Sequence, residues 1–246
     1  MNEQRAKRAY VETYGCQMNI SDGELMQGVL AAQGYEIVSQ PEGADVVLVN
    51  TCAIREHAER RVLGRVAQLK GLKEDNPGLV LGVTGCMAQR MGDTLLEQAP
   101  YVDLVMGPDG YRELPQRVGE VGGGTRKREP ASKAFDASKR RTQLSVLELD
   151  LDENYEGLEQ RRTSRVAAWV PIQRGCDHRC TFCIVPYVRG PEKNRLPREV
   201  LEEVARIGAS GVSEVTLLGQ TVNSYRSDGW DFPRLLREVA QVPGIR

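Results

Sequence analysis

No part of the sequence holds an uninterrupted run of about eighteen apolar residues, the length that a helix needs to cross a bilayer, so we expect no membrane span. Residues 1–8 are mostly polar and lack the apolar centre of a signal peptide. The net charge is only −1 over 246 residues, so the overall charge neither favours nor excludes a nucleic-acid partner, which only a local basic surface could bind. We therefore expect a cytoplasmic protein without a membrane partner.

Six cysteines stand out against this background. The cytoplasm keeps thiols reduced, so the cysteines indicate metal binding or catalysis rather than disulfides. Apolar residues make up 40% of the chain, which is enough for packed cores. The length fits one large domain or two domains of ordinary size.

Residues 8–118 alternate strand and helix patterns, which predicts a parallel sheet covered by helices. The predicted strands span residues 8–14, 44–50, 79–84 and 102–106. Ser21 and Glu24 form a capping-box pattern, which predicts that the first helix begins at Ser21. An apolar stripe marks the second helix, at Ala58, Val62, Val66 and Leu69. We therefore assign residues 1–118 to an N-terminal α/β domain.

The alternation stops at residues 119–165, which predicts a linker. Two basic clusters within it, 126–128 and 139–141, fit either a nucleic-acid backbone or a solvated surface. Residues 166–246 return to the strand–helix order, with strands at 166–173 and 214–218 and helices near Val200 and Phe232. Two βα units cannot close a barrel, so we expect this second domain to be truncated.

Cys176, Cys180 and Cys183 form a C-x3-C-x2-C motif directly after a predicted strand. Three thiolates in one short loop can hold three corners of a [4Fe–4S] cluster and leave the fourth iron free for an external ligand. A structural zinc ion normally has four protein ligands. His178 is a possible fourth ligand, but it lies between two of the cysteines and is poorly placed to turn inward with them. The spacing therefore favours an iron–sulfur cluster over a zinc site or a chance pattern.

Cys16, Cys52 and Cys86 are far apart in the sequence, yet each follows a predicted strand. The carboxyl ends of parallel strands meet at one edge of a sheet, so these three thiols should converge there. The alternative is that they are small apolar core residues, as free cysteines often are. Core cysteines would be expected within the strands rather than at their ends. The pattern therefore predicts a second cluster with three thiolate ligands.

Several short motifs surround these cysteines: Tyr-Gly-Cys-Gln-Met-Asn at 14–19, Val-Asn-Thr-Cys at 49–52 with Ile-Arg-Glu at 54–56, Thr-Gly-Cys at 84–86, Arg-Gly-Cys at 174–176, Cys-Ile-Val-Pro-Tyr-Val-Arg-Gly at 183–190 and Leu-Leu-Gly-Gln at 217–220. Together with the C-x3-C-x2-C spacing, they resemble the methylthiotransferases of the radical S-adenosylmethionine (SAM) superfamily over nearly the whole chain. The forms of the 14–19 and 183–190 motifs resemble most the branch that acts on isopentenyladenosine in tRNA.

The resemblance implies a fold and a set of cofactor sites. The fold is an N-terminal parallel-sheet α/β domain followed by the first βα units of a radical SAM partial TIM barrel, without the later strands and the C-terminal RNA-binding domain of the family. The cofactors are SAM and two [4Fe–4S] clusters, one on each cysteine triad. Phe182, Gly219 and Gln220 would contact SAM, the alternatives being core packing for Phe182 and an ordinary strand end for the other two. No catalytic side chain is implied beyond the cluster ligands.

The implied reaction adds a methylthio group to C2 of N6-isopentenyladenosine beside the anticodon of tRNA. The resemblance also implies a monomeric enzyme that receives electrons from a flavodoxin- or ferredoxin-type donor. Arg189 and Arg195 would contact tRNA phosphate or SAM, or lie at a plain surface.

The alternative functions include those of sibling branches, which modify another tRNA adenosine or an aspartate of a ribosomal protein. Two alternatives of other classes are a two-cluster electron-transfer module, which would need four cysteines per cluster, and a zinc-bound scaffold.

Overall fold

A computed structural model describes residues 5–53, 56–122, 143–162 and 164–245 of the chain. Within these ranges, no helix combines the length and the apolar character that a membrane crossing requires. The basic clusters at 126–128 and 139–141 lie outside the described residues.

A parallel six-stranded sheet organises the first part of the chain. Its elements, in chain order, are β1 (Arg8–Tyr14), α1 (Gln17–Ala32), β2 (Glu36–Ile37), β3 (Val46–Thr51), α2 (Glu56–Leu69), α3 (Leu72–Asp75), β4 (Val80–Gly85), α4 (Cys86–Met91), α5 (Asp93–Gln98), β5 (Leu104–Met106), α6 (Leu114–Gly122) and β6 (Leu144–Val146). The strand order is β2-β1-β3-β4-β5-β6, and every neighbouring pair is parallel. This confirms the predicted parallel-sheet α/β domain.

The sheet is buried on both faces, as its apolar strands require. All residues of β3 and β4 are buried. On one face, α1 and α6 pack against the sheet in a core that includes Leu25 and Met26. On the other face, α2, α4 and α5 form a second core that includes Val62 and Val66. Helices therefore cover both faces of the sheet.

The predicted start of the first helix is wrong. The helix begins at Gln17 and Cys16 occupies the N-cap position, so Ser21 lies inside the helix. Ser21 is buried, and its hydroxyl accepts a hydrogen bond from the Gln160 side-chain amide at 2.9 Å. The capping-box pattern failed because Ser21 makes a long-range contact instead of a local one.

Part of the predicted linker belongs to the sheet. Strand β6 pairs with β5, a strand that the sequence pattern did not reveal. Further along, the chain crosses the outer face of α1, where the Arg161 backbone N–H donates to the Glu24 carbonyl at 2.9 Å. This crossing segment, residues 153–162, covers polar residues of α1 that would otherwise face water.

The crossing segment makes Gly28 essential to the packing of α1. A Cβ added at Gly28 would lie 1.9 Å from the Glu159 carbonyl oxygen. We expect Gly28→Ala to lower the free energy of unfolding by about 1–3 kcal/mol, because main chain must move to admit the methyl group. The matched control is Gly64→Ala in α2, where an added Cβ meets nothing within 4 Å and which should gain about 0.5–1 kcal/mol from helix propensity. Urea unfolding compares the two variants, and a stabilising Gly28→Ala would contradict the contact.

The second part of the chain begins a βα barrel. Its elements are β7 (Ala167–Pro171), β8 (Gln173–Arg174), α7 (Val185–Arg189), β9 (Lys193–Asn194), α8 (Pro197–Ala209), β10 (Glu214–Leu218), β11 (Arg226–Ser227), β12 (Trp230–Asp231) and α9 (Phe232–Val239). Strands β7 and β10 are parallel neighbours, as the strand–helix order predicted. Helices α8 and α9 cover them through a third core that includes Val204 and Leu235.

Candidate metal centre

The three N-terminal cysteines follow three adjacent strands that end at the same level. The register pairs Tyr14 with Thr51 and Thr51 with Gly85. Cys52 and Cys86 come directly after Thr51 and Gly85, and Cys16 comes two residues after Tyr14. The structure therefore brings Cys16, Cys52 and Cys86 to one edge of the sheet.

Cys16 is the exposed member of this set. The pKa of its thiol is lowered to about 5, first by a hydrogen bond from Cys52 and further by backbone N–H groups at the start of α1 and by the charge of Arg189. Gly15 makes the approach possible, because its φ of +138° is a conformation that side chains disfavour and an added Cβ would lie 2.7 Å from Cys52 Cβ. The local fold thus favours a thiolate at this edge.

Cys86 is buried at the first position of α4. Burial raises the pKa of its thiol, and the nearby Arg189 guanidinium acts in the opposite direction. Arg189 Nε donates to the Cys86 sulfur at 3.2 Å. A thiolate at Cys86 therefore already has a donor.

The second triad lies in the loop between β8 and α7. Gly175 has φ +74°, and an added Cβ would lie 1.9 Å from the Pro191 carbonyl oxygen, so only glycine fits before the first cysteine. The Cys176 N–H donates to the Gly190 carbonyl at 3.1 Å, and the Cys183 N–H donates to the Cys180 carbonyl at 3.0 Å. Cys176 is buried, Cys183 is half-buried and Cys180 is exposed. Backbone hydrogen bonds thus hold the loop in a compact shape, and its three thiols differ in their exposure to solvent.

Of the residues expected at SAM, Phe182 lies within this loop, and Gly219 and Gln220 come just before Thr221, which contacts it. Phe182 is 91% exposed, so it does not pack in a core of the described residues. Gly219 and Gln220 follow β10, and the next residue, Thr221, has its hydroxyl 3.5 Å from the Cys176 sulfur. Gln220 Oε1 is buried, and it has no hydrogen-bond partner within the described ranges. A buried acceptor of this kind fits a ligand that carries an N–H donor.

Helix α7 connects the two cysteine sets. Ile184 and Val188 pack against Ala53 and Cys86, which belong to the N-terminal edge. Because α7 starts two residues after Cys183, the two triads lie on either side of one packed interface.

The same interface contains a buried charge cluster, which sequence reasoning missed. It consists of Arg174, Arg189 and Lys193 from the second part of the chain and Asp22 and Asp109 from the first. Arg189 Nη2 lies 2.7 Å from Asp22, Lys193 Nζ lies 2.7 Å from Asp109, and each of these side chains is at most 5% exposed. No local pattern marks these residues, because their partners are distant in sequence.

The expectation that Arg189 contacts an external phosphate or lies at a plain surface is wrong, since Arg189 is a member of the buried charge cluster. Arg195 is also largely enclosed. It donates to Glu203 at 2.7 Å and to the Pro171 carbonyl at 3.0 Å. A buried guanidinium needs such partners, and both arginines find them inside the protein.

The donor sets fit iron–sulfur clusters better than zinc. In the part of the chain that the structure describes, no three His, Cys, Asp or Glu side chains surround a position for a single metal ion. A closed zinc site needs four ligands within about 2.0–2.3 Å of the ion. A four-iron cluster is bound through cysteine thiolates, and each triad offers three thiols. The buried Arg189 Nη1, which has no partner among the described residues, is a further donor that suits an anionic group at the N-terminal edge.

Comparison with known proteins gives two family matches. Residues 8–107 match the uncharacterized protein family UPF0004, and residues 170–246 match the radical SAM superfamily. A protein of Chlorobium phaeobacteroides named tRNA-2-methylthio-N(6)-dimethylallyladenosine synthase is 41% identical over 99% of this chain and 51% of its own length. A Bacillus licheniformis protein of the same name is 43% identical over 98% of this chain and 46% of its own length. The chain spans about half the length of the curated relatives it matches.

A solved structure shares the fold. The radical SAM methyltransferase TsrM of Kitasatospora setae, with tryptophan and a SAM analogue bound, superposes with a TM-score of 0.56. The match covers 95% of this chain and 51% of that protein, at 14% sequence identity. At this identity the likeness concerns the fold alone.

Proposed function

Because residues 8–107 of this chain belong to the family UPF0004 and residues 170–246 to the radical SAM superfamily, we propose that it carries both metal sites of a radical SAM tRNA methylthiotransferase. The substrate is N6-isopentenyladenosine beside the anticodon, which receives a methylthio group at C2. This assignment is supported by relatives about 40% identical that are named tRNA-2-methylthio-N(6)-dimethylallyladenosine synthase. A sibling activity, on another tRNA adenosine or on a ribosomal-protein aspartate, is the alternative.

The radical SAM superfamily implies a [4Fe–4S] cluster and SAM. Cys176, Cys180 and Cys183 are the proposed cluster ligands, since they occupy one closed loop. When bound, the cluster and SAM supply a radical able to attack an unactivated C–H bond. The residues of the chain determine where SAM lies. The buried acceptor Gln220 Oε1 would receive an N–H from the SAM ammonium group, and the exposed Phe182 ring would cover the adenine.

Cys16, Cys52 and Cys86 are the proposed ligands of a second [4Fe–4S] cluster, which would supply the sulfur of the methylthio group, while a first SAM molecule would supply its methyl group and a second one the radical. The observation that carries this proposal is the shared register of the three strand ends. Sulfur transfer requires that the second site and the SAM site face the same nucleotide. The packing of α7 against the N-terminal edge supports the proposal that the two sites lie close together.

The proposed partners follow from the chemistry. The tRNA is the substrate, and cleavage of SAM needs an electron from a donor of the flavodoxin or ferredoxin type. We propose that the enzyme acts as a monomer, since both cysteine triads are contributed by one chain.

The test is analysis of modified nucleosides in the host organism. Deletion of the gene should remove 2-methylthio-N6-isopentenyladenosine from digested tRNA and leave N6-isopentenyladenosine in its place. A plasmid copy of the full-length gene should restore the methylthio nucleoside. If the tRNA is unchanged and a ribosomal protein loses a methylthio-aspartate instead, the ribosomal branch is the correct assignment.

A further inference from the structure

We propose that Arg189 is a positioning residue that holds the Cys86 ligand against the radical SAM loop and sets the reduction potential of the N-terminal cluster. The inference rests on the proposed cluster at Cys16, Cys52 and Cys86. It goes beyond that proposal because it assigns a role to a residue of the opposite domain.

The geometry of Arg189 carries the inference. Its backbone ends α7, six residues after Cys183, whereas its guanidinium lies among residues of the N-terminal domain. Nη2 donates to Asp22 at 2.7 Å and Nε donates to Cys86 at 3.2 Å. One planar group is therefore fixed by a carboxylate and oriented toward a sulfur at the same time. A lysine could not make both contacts in this fork geometry.

The net charge of the buried charge cluster also supports a contact between Arg189 and an anionic sulfur. The buried charge cluster contains three cations and two carboxylates, all enclosed. The nearby Glu153 carboxylate does not restore the balance, since Arg112 holds it through hydrogen bonds of 2.7 and 2.8 Å. A buried charge without a counter-charge is costly. A thiolate at Cys86 that binds metal is an anion in direct contact with the surplus cation.

One nitrogen of the Arg189 guanidinium is still available as a hydrogen-bond donor. Arg189 Nη1 is buried and has no partner within the described ranges, although the other two nitrogens of the same group are bonded. Buried donors in native proteins are normally satisfied. A sulfide or thiolate of a cluster at the N-terminal edge would be a suitable acceptor. Hydrogen bonds to cluster sulfur and nearby positive charge both favour the reduced cluster and so raise its reduction potential.

The first experiment measures that potential. In full-length protein with Cys176, Cys180 and Cys183 replaced by alanine, only the N-terminal site can load, and EPR-monitored redox titration follows it alone. Arg189→Met should shift the potential to a more negative value, because a positive charge and a hydrogen bond are lost. Arg189→Lys should give a smaller shift in the same direction.

The matched control is Arg195→Met, which removes another enclosed arginine of the same domain that contacts Glu203 and neither cysteine triad. It should leave the potential unchanged. A purely structural role for Arg189 would affect stability without moving the potential, so an unchanged potential in folded Arg189→Met or Arg189→Lys protein overturns the proposal.

The second experiment needs no metal. Mass spectrometry follows alkylation of each cysteine in the metal-free full-length protein, with the exposed Cys180 as internal reference. Because Arg189 closes the interface over Cys86, Arg189→Met should increase the alkylation rate of Cys86 about tenfold or more by local opening, and Arg195→Met should not. An unchanged rate in Arg189→Met overturns the positioning role. If no iron binds at the N-terminal cysteines, the proposed cluster there fails, and this alkylation result still decides the role of Arg189.

Discussion

Replacement of Cys180 by alanine in the full-length protein should reduce 5′-deoxyadenosine formation from SAM to background. Cys180 is the exposed thiol of the second triad, and two remaining thiolates would not hold the cluster that SAM cleavage requires. Loss of the SAM site also prevents methylthio transfer, so both products should disappear. Replacement of all three cysteines of this triad should lower the iron content from about eight to about four atoms per chain, since each cluster contains four irons.

Thr181→Ala is the matched control for Cys180→Ala. Thr181 is the next residue, it is also exposed, and it belongs to neither triad. The control should keep the iron content and the rate of SAM cleavage of the parent protein. Anaerobic reconstitution, iron analysis and mass spectrometry of 5′-deoxyadenosine provide the measurements. Persistent 5′-deoxyadenosine formation by Cys180→Ala protein would show that this triad is not the radical site.

Cys52→Ala should separate the two reactions. Cys52 follows β3 at the carboxyl edge, and alanine retains its Cβ, so the substitution removes a ligand without opening a large cavity. The second triad is untouched, so 5′-deoxyadenosine should still form. Methylthio-adenosine in tRNA should fall to background, because the proposed source of the methylthio sulfur is lost.

A single assay can measure both products of the Cys52→Ala enzyme, by mass spectrometry of the small molecules and of digested tRNA. Cys16→Ala and Cys86→Ala should behave in the same way, in contrast to Cys180→Ala, which loses both products. If Cys52→Ala enzyme still thiomethylates its tRNA, the N-terminal cysteines are not a sulfur-providing site. They would then be explained by packing alone.

Much of the fold follows from hydrophobic periodicity. The bounds of β1 and β10 match the sequence prediction because each segment has a clear period and a clear end. The convergence of Cys16, Cys52 and Cys86 also follows, since parallel strands must end at a common edge. Both features depend on local patterns that a single sequence carries.

The features that sequence reasoning missed depend on distant contacts. Strand β6 has three residues and is recognisable only through its pairing with β5. Ser21 fits a helix cap locally but bonds to Gln160, and Arg189 bonds to a carboxylate 167 positions away. An arginine beside a cysteine motif suggests an anionic ligand, and only the fold reveals that its partners are Asp22 and Cys86.

The crossing segment has a consequence for how the protein is made. Its Gln160 bonds to Ser21 across 139 positions of sequence, so α1 stays partly uncovered until that segment has left the ribosome. Synthesis proceeds at about 5–20 residues per second, and β1, β3 and β4 with their three cysteines emerge several seconds before the crossing segment and the loop of the second triad. During that interval the first three cysteines have left the ribosome, whereas α7, which packs against Cys86 in the folded chain, has not. The order of translation thus delays the covering of Cys86 until the loop of the second triad and α7 have been synthesised.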